Sequence, residues 1–267
     1  MIFDIILTTL INGSTYALLA IGFSLIFGVA RIVNIAHTAF YMVAAYCIFF
    51  GTHRLGVNPV LAMLMALIVV VLLGLICYKL FIEPIREHEA AVLIATIALA
   101  MIFQEVMLLI FKGDYRTVPP LVPGYVSVVG IKVAYQQLLT IVAALMILGG
   151  VWTFLARTRL GLAIRSTAQD REIANLMGMN EAWVAMMTMA VSVGIAALTG
   201  AVVLPLTVLN PHMWMAPLIM MMAVVVLGGL GSLKGSFVGA FILAFSEALV
   251  VFLIPKGSFL RESVALS

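Results

Sequence analysis

The sequence predicts an all-α protein, a polytopic transmembrane helical bundle of about eight spans. Three observations carry that prediction. Of 267 residues, 65% are hydrophobic and only 9% are charged, whereas a soluble domain carries roughly 25% charged residues. Uncharged stretches of the length that crosses a bilayer, about 20 residues, recur along the chain. These stretches are continuous rather than alternating, and of the two structures that can cross lipid, helices and closed barrels, a continuous apolar run selects the helix.

Taken in order, Ile5–Ala30 is the first uncharged run. The opening MIFDIILTTL has no basic segment and no small-residue cleavage site after it, so the run reads as a retained helix. Ile32–His53, Leu55–Tyr78, Ala90–Phe111 (interrupted by Gln104-Glu105) and Val133–Ala156 follow. Ala182–Leu233 then runs 52 residues without a charge, too long for one crossing, and breaks at Asn210-Pro211-His212 into a sixth and a seventh span. Gly235–Pro255 is the eighth and carries Glu247. Residues 1–267 thus read as one membrane domain, with no separate soluble domain, linker or low-complexity segment.

Two loops have internal structure. In 112–135, Pro119, Pro120 and Pro123 precede YVSVVGIKV, whose alternation around Gly130 predicts a small hairpin. Loop 156–181 holds Arg157, Arg159, Arg165 and Arg171, and the positive-inside rule places it in the cytoplasm and 112–135 outside. Counting spans from there, Arg31, Lys79, Arg86 and Lys234 also fall inside, while Arg54, Lys112, Arg116, Lys132, Lys256 and Arg261 fall outside. Within 156–181, Asp170 is an N-cap and Glu172 lies in the first turn, where the helix dipole favours a carboxylate. Ala174, Leu176 and Met177 are apolar, and Gly178 is a natural stop. The result is a short helix of about two turns, read either as an ordinary solvated connector or as an element that plugs into a partner's groove.

Polar groups inside spans are expensive and mark function or bracing. Glu247 lies near mid-span, and Asn12, Ser14, Thr15 and Tyr16 cluster in the first span, so all are candidates for lining a pathway. Asn34 and His37 sit near the cytoplasmic side of the second span and are candidates too, although a lone histidine there is more often structural. Gly231, Gly235 and Gly239 recur every four residues and are read as one helix face for close packing. Ala20, Ser24 and Gly28, and Ser192, Ala196 and Gly200, repeat the device.

The chain carries no nucleophile-base-acid arrangement, metal motif or cofactor motif. GGLGSLKG at 228–235 lacks the phosphate-loop order. A net charge of +3 comes without a basic stripe and interleaved aromatics, which argues against nucleic acid. Cys47 and Cys77 lie within apolar runs and offer neither a disulfide framework nor ligand spacing.

The segment TRLGLAIRSTAQDREIANLMGMN, with Glu172, Ala174 and Gly178, resembles the EAA-type loop by which permeases dock ATP-binding subunits. NGSTYALLAIGFSLIFGVARIVNIAHTAFYMVAAY, with Asn34, Ala36 and His37, and GGLGSLKGSFVGAFILAFSEAL resemble two further blocks of the LivH-type branched-chain amino acid permeases. The three blocks follow that family's order over nearly the whole chain. Family members usually continue with another apolar helix, whereas this sequence ends at LRESVALS.

The resemblance implies an inner-membrane permease with no ATPase site of its own. It also implies a second related permease, two ATP-binding subunits and an extracytoplasmic solute-binding protein. Asp170, Glu172, Ala174 and Gly178 would couple it to the ATP-binding subunits. Hydrophobic amino acids are the leading cargo, with urea or short amides next. A ribose-type sugar permease is a close rival in architecture. A secondary transporter would show inverted repeats with paired intramembrane charges, and a channel a filter or rings of charge; neither signature is evident.

Overall fold

The structure, a computed structural model, describes residues 2–128 and 131–253. Its helices are α1 Ile2–Ala30, α2 His37–His53, α3 Pro59–Cys77, α4 Glu89–Phe111, α5 Tyr135–Arg157, α6 Arg159–Gln169, α7 Arg171–Leu176, α8 Glu181–Val203, α9 Met215–Gly228 and α10 Leu233–Leu253. Among the described residues, six helices are long and apolar enough to cross a membrane: α1, α3, α4, α5, α8 and α10. The apolar α9, at 14 residues, and α2, at 17, are shorter, about 21 and 25 Å at 1.5 Å per residue.

The two short helices explain where the predicted spans and the structure part. The second uncharged run begins at residue 32, yet 31–36 is irregular and α2 starts only at His37. Arg31 leaves α1 with a left-handed backbone (φ 55°), and Thr96 of α4 caps the irregular stretch by accepting from the Ile35 N–H at 3.2 Å. The long run 182–233 breaks near the expected place. α8 ends at Val203, a tight turn covers Leu204–Leu206, and α9 begins at Met215.

Local signals set the helix starts. Asn58 accepts from the Val60 N–H with Pro59 at the first helical position of α3. Asp170 caps α7 by accepting from the Ile173 N–H at 3.0 Å, as expected, and Asn180 caps α8 through the Trp183 N–H. Helix α6 was not legible in the sequence. Thr158 caps it, accepting from the Gly161 N–H at 2.9 Å. Strands β1 Tyr125–Val128 and β2 Ile131–Ala134 pair antiparallel, so the hairpin is present; its turn at Gly130 lies outside the described residues.

Helix α1 is the axis of the bundle. It packs against α10, α8, α9, α5 and α6, and its residues from Gly13 to Ile26 are all buried. Helices α3, α4 and α5 instead turn large apolar side chains outward, such as Leu109 at 80% exposure. A water-facing protein would hide such a surface, and a bilayer is its natural solvent.

Small residues bring the inner helices together. Ser24 of α1 meets Ser236 of α10 at 2.7 Å between hydroxyl oxygens. A Cβ on Gly235 would overlap the Gly228 carbonyl, and one on Gly239 would lie 3.0 Å from the Val224 carbonyl, so α9 and α10 touch through bare backbone. The expected face of Gly231, Gly235 and Gly239 needs one correction. Gly231 precedes α10, in a turn at φ 80°, because only that backbone reverses the chain between α9 and α10.

Candidate functional site

Two places in the bundle gather residues that sequence reading singled out. The first is a cavity of about 370 Å³ lined by α1, α2, the turn after α8, and α9. Its α1 wall is Ile11, Asn12, Thr15 and Tyr16, and Tyr41 of α2 adjoins it. The rest is formed by Val203 to Val208, excepting 204 and 205, and by Met213, Ala216, Pro217 and Met220. The volume falls in the range of small-molecule sites, about 300–1,000 Å³.

The hydrogen bonds behind this wall set its character. Tyr16 donates its hydroxyl proton to Glu247 Oε2 at 2.8 Å, and the Asn12 amide donates to Glu247 Oε1 at 3.4 Å. Glu247 reaches α1 from α10 and is itself 2% exposed. Thr15 donates its proton backward to the Ile11 carbonyl at 2.9 Å. Helical spacing puts Asn12, Thr15 and Tyr16 on one face of α1. Ser14 falls on another face, fully buried and away from the cavity lining.

Asn34 and His37 are not part of this cavity. His37 packs against α8, its Nδ1 3.2 Å from the Ser192 hydroxyl, and Asn34 donates to the Met189 sulfur at 3.7 Å. Gly22 makes room for the imidazole, since a Cβ there would come within 2.8 Å of His37 Cε1. These residues join α2 to α1 and α8 and have the features of a brace. The cavity residues Tyr41, Thr207, Met213 and Met220 had no sequence signal, because nothing local links 41, 207 and 213 to residue 12.

The loops at this end of the bundle are pinned to one another. Arg116 and Leu209 exchange backbone hydrogen bonds of 3.0 and 2.8 Å, tying the 112–124 loop to the 207–214 loop. The Trp214 indole donates to Gln104 of α4 at 3.0 Å. Glu105, beside Gln104, is exposed on α4 and does not enter the cavity.

The second place is the α6–α7 tip at the opposite end of α8. Helix α7 has six residues, close to the two turns expected. Gly178 ends it at φ 82°, with open space around the position of a Cβ. Ala174 is 4% exposed and faces its own chain. Ile173, Leu176 and Met177 face outward at 59%, 86% and 76% exposure. Sequence reading singled out Ala174 and Gly178, which shape the helix, and missed that its protruding surface is these three side chains.

The tip is tied back to α8. Arg171 Nη1 lies 3.3 Å from Glu181 Oε1, and the Asn175 amide donates to Glu181 Oε2 at 3.5 Å. Partial burial lowers the Arg171 guanidinium from its ordinary value; the Glu181 carboxylate opposes this, and nearby Arg31 and Arg86 add to the lowering. Three arginines therefore share this end of the bundle.

The family described as "Branched-chain amino acid transport system / permease component" matches residues 5–263. A high-affinity branched-chain amino acid transport system permease protein from Pseudomonas aeruginosa is 30% identical over 251 residues, covering 88% of this chain and 82% of that one. The corresponding LivH protein of Escherichia coli is 25% identical over 252 residues, with 89% and 82% covered. Among solved structures, PsaBC from Streptococcus pneumoniae in complex with Fab aligns with 100% of this chain and 92% of its own, at a TM-score of 0.53 and 15% identity, which shows a shared fold. With its model matched from residue 5 to residue 263, the chain belongs to the family of permease components of branched-chain amino acid transport systems.

Proposed function

We propose that this chain forms half of the translocation path of an ATP-driven importer for branched-chain and other hydrophobic amino acids. It is a multi-pass protein of the bacterial inner membrane. Its partners are a second related permease, two ATP-binding subunits and an extracytoplasmic solute-binding protein. The chain itself hydrolyses nothing. The α6–α7 tip is cytoplasmic, as its arginines require, and the cavity at the other end of α8 opens toward the outside.

The observation that carries this reading is the tip. Three large apolar side chains stand exposed on a helix of six residues, capped by Asp170 and stopped by Gly178. An isolated helix that short is unstable in water, so its cap and its ties to α8 hold it in place with those side chains outward. A groove on an ATP-binding subunit would cover Ile173, Leu176 and Met177. Movement of that subunit would then reach α8 through the Arg171–Glu181 tie.

The test is recovery and activity. Tagged chain expressed with its partners should bring down a sister permease and two ATP-binding subunits. ATP turnover should appear in that complex and be absent from the purified chain in lipid. Turnover by the isolated chain, free of contaminating ATPase, would overturn the permease assignment.

A further inference from the structure

Most of the protons on the α1 wall of the cavity are already committed. The Tyr16 hydroxyl gives its proton to Glu247, the Asn12 amide gives one of its two there, and the Thr15 hydroxyl gives its own to the Ile11 carbonyl. What these side chains offer is therefore chiefly oxygen lone pairs, on Asn12 Oδ1, Thr15 Oγ1 and Tyr16 Oη, with one Asn12 N–H beside them. A wall of acceptors beside a buried carboxylate favours a cation that donates several hydrogen bonds. The opposite wall is apolar, through Val203, Leu206, Val208, Met213, Ala216 and Met220.

We propose that this cavity is a resting site for the transported amino acid within this chain. The oxygens of Asn12, Thr15 and Tyr16 accept from the substrate ammonium, and the wall of α9 and the 203–208 turn takes the aliphatic side chain. Glu247 is a positioning residue: it holds the Tyr16 hydroxyl proton and one Asn12 N–H away from the substrate. The site reads a primary ammonium on a branched aliphatic chain. Thr207 and Tyr41 stand at the polar margin, where the carboxylate keeps part of its water. The inference rests on the importer reading, from which the identity of the cargo comes.

The assembled transporter in nanodiscs, without ATP, is titrated with radiolabelled leucine and challenged with two analogues. Isopentylamine keeps the ammonium and lacks the carboxylate; 4-methyl-2-oxopentanoate keeps the carboxylate and lacks the ammonium. Isopentylamine should displace leucine, and the keto acid should be weaker than leucine by at least about tenfold, since a site built for a donor rejects the analogue without it. Equal displacement by leucine and the keto acid would overturn the ammonium assignment.

Ala216→Phe fills the apolar wall. It should reduce leucine uptake about tenfold while alanine uptake falls less than about threefold, because a larger side chain competes for the same space. Equal loss for both amino acids, with normal subunit recovery, would show that the cavity does not hold the side chain. Tyr16→Phe should weaken leucine binding about tenfold with docking of the solute-binding protein unchanged. If Ala216→Phe does not assemble, Tyr16→Phe and the analogue pair decide the matter by themselves. Should the unmodified complex move leucine with ATP yet fail the analogue test, the resting site alone is wrong. Should it move no amino acid at all, the importer reading falls first.

Discussion

At the α7 tip, every structural feature comes from neighbours in sequence. Asp170 caps the Ile173 N–H three residues on, Gly178 ends the helix, and Arg171 meets Glu181 ten residues later. In the outer cavity, the key pairs are Asn12 and Tyr16 with Glu247, separated by 235 and 231 residues. The tip is exposed, with three large apolar side chains on its surface. The cavity is recessed, and Glu247 ties Asn12 and Tyr16 of its wall back to α10. On the proposed reading, one end of α8 is touched by protein and the other holds something small. Substitutions at the two ends should fail in different ways.

The largest expected effect is at the tip. Leu176→Asp together with Met177→Asp would place carboxylates where a partner's groove must close. An unpaired charge buried in an interface costs about 2–5 kcal/mol, so recovery of ATP-binding subunits should fall at least about thirtyfold and uptake should reach background. Leucine binding by the permease pair should survive, because the cavity lies at the far end of α8. Normal recovery of those subunits would show that these side chains are not the docking surface.

Gly178→Val should come next. At φ 82° a side chain meets its own backbone rather than a neighbour, since nothing lies within 4 Å of the added Cβ. The left-handed conformation costs roughly 1–2 kcal/mol for an ordinary residue, and a β-branched one fares worse. ATP-driven uptake should fall about 5- to 30-fold, with membrane insertion preserved. Gly178→Asn tolerates that backbone better and should retain most uptake. If valine and asparagine behave alike, the helix stop is not what matters here.

How much of each end could be read beforehand follows from the same contrast. The N-cap, the Glu172 position and the stop at Gly178 were legible, because capping is local chemistry. The exposure of Ile173, Leu176 and Met177 was not, because apolar residues in a membrane protein ordinarily signal burial. Asn12, Thr15, Tyr16 and Glu247 were legible as polar residues in apolar runs, but their convergence was not. Ser14 looked equal to its neighbours in sequence, and only the rotation of α1 separates them. Helix α6 escaped notice because its arginines masked an amphipathic helix as a charged loop. Gly231 seemed part of a helical repeat, whereas the turn between α9 and α10 needed its positive φ.

A third experiment tests whether the two ends communicate. Arg171 and Glu181 have side chains 31% and 23% exposed, so solvent screening holds their attraction to about 0.2–1 kcal/mol. Glu181→Arg should reduce uptake per ATP hydrolysed about two- to fivefold while recovery of ATP-binding subunits stays normal. Arg171→Glu should do the same, and the double exchange should restore much of the loss. A double exchange no better than either single variant would deny the ion pair a role in transmission.

The smallest effect is expected at Glu172, and it distinguishes shape from charge at the tip. Glu172 is exposed in the first turn of α7, beside the Asp170 cap. Glu172→Lys leaves that cap intact and changes no packing. It does replace an anion by a cation at the positive end of a helix, an electrostatic change worth about two- to fivefold at low salt. Because the group faces water, the effect should shrink as salt is raised past about 0.15 M. Uptake by Glu172→Lys proteoliposomes should therefore approach the unmodified level at high salt, whereas Gly178→Val should stay impaired, since a strained backbone is indifferent to ions. A salt-insensitive defect at Glu172 would mean that its carboxylate makes a close, desolvated contact with the partner, and the tip would then be read as a charged latch rather than an apolar plug.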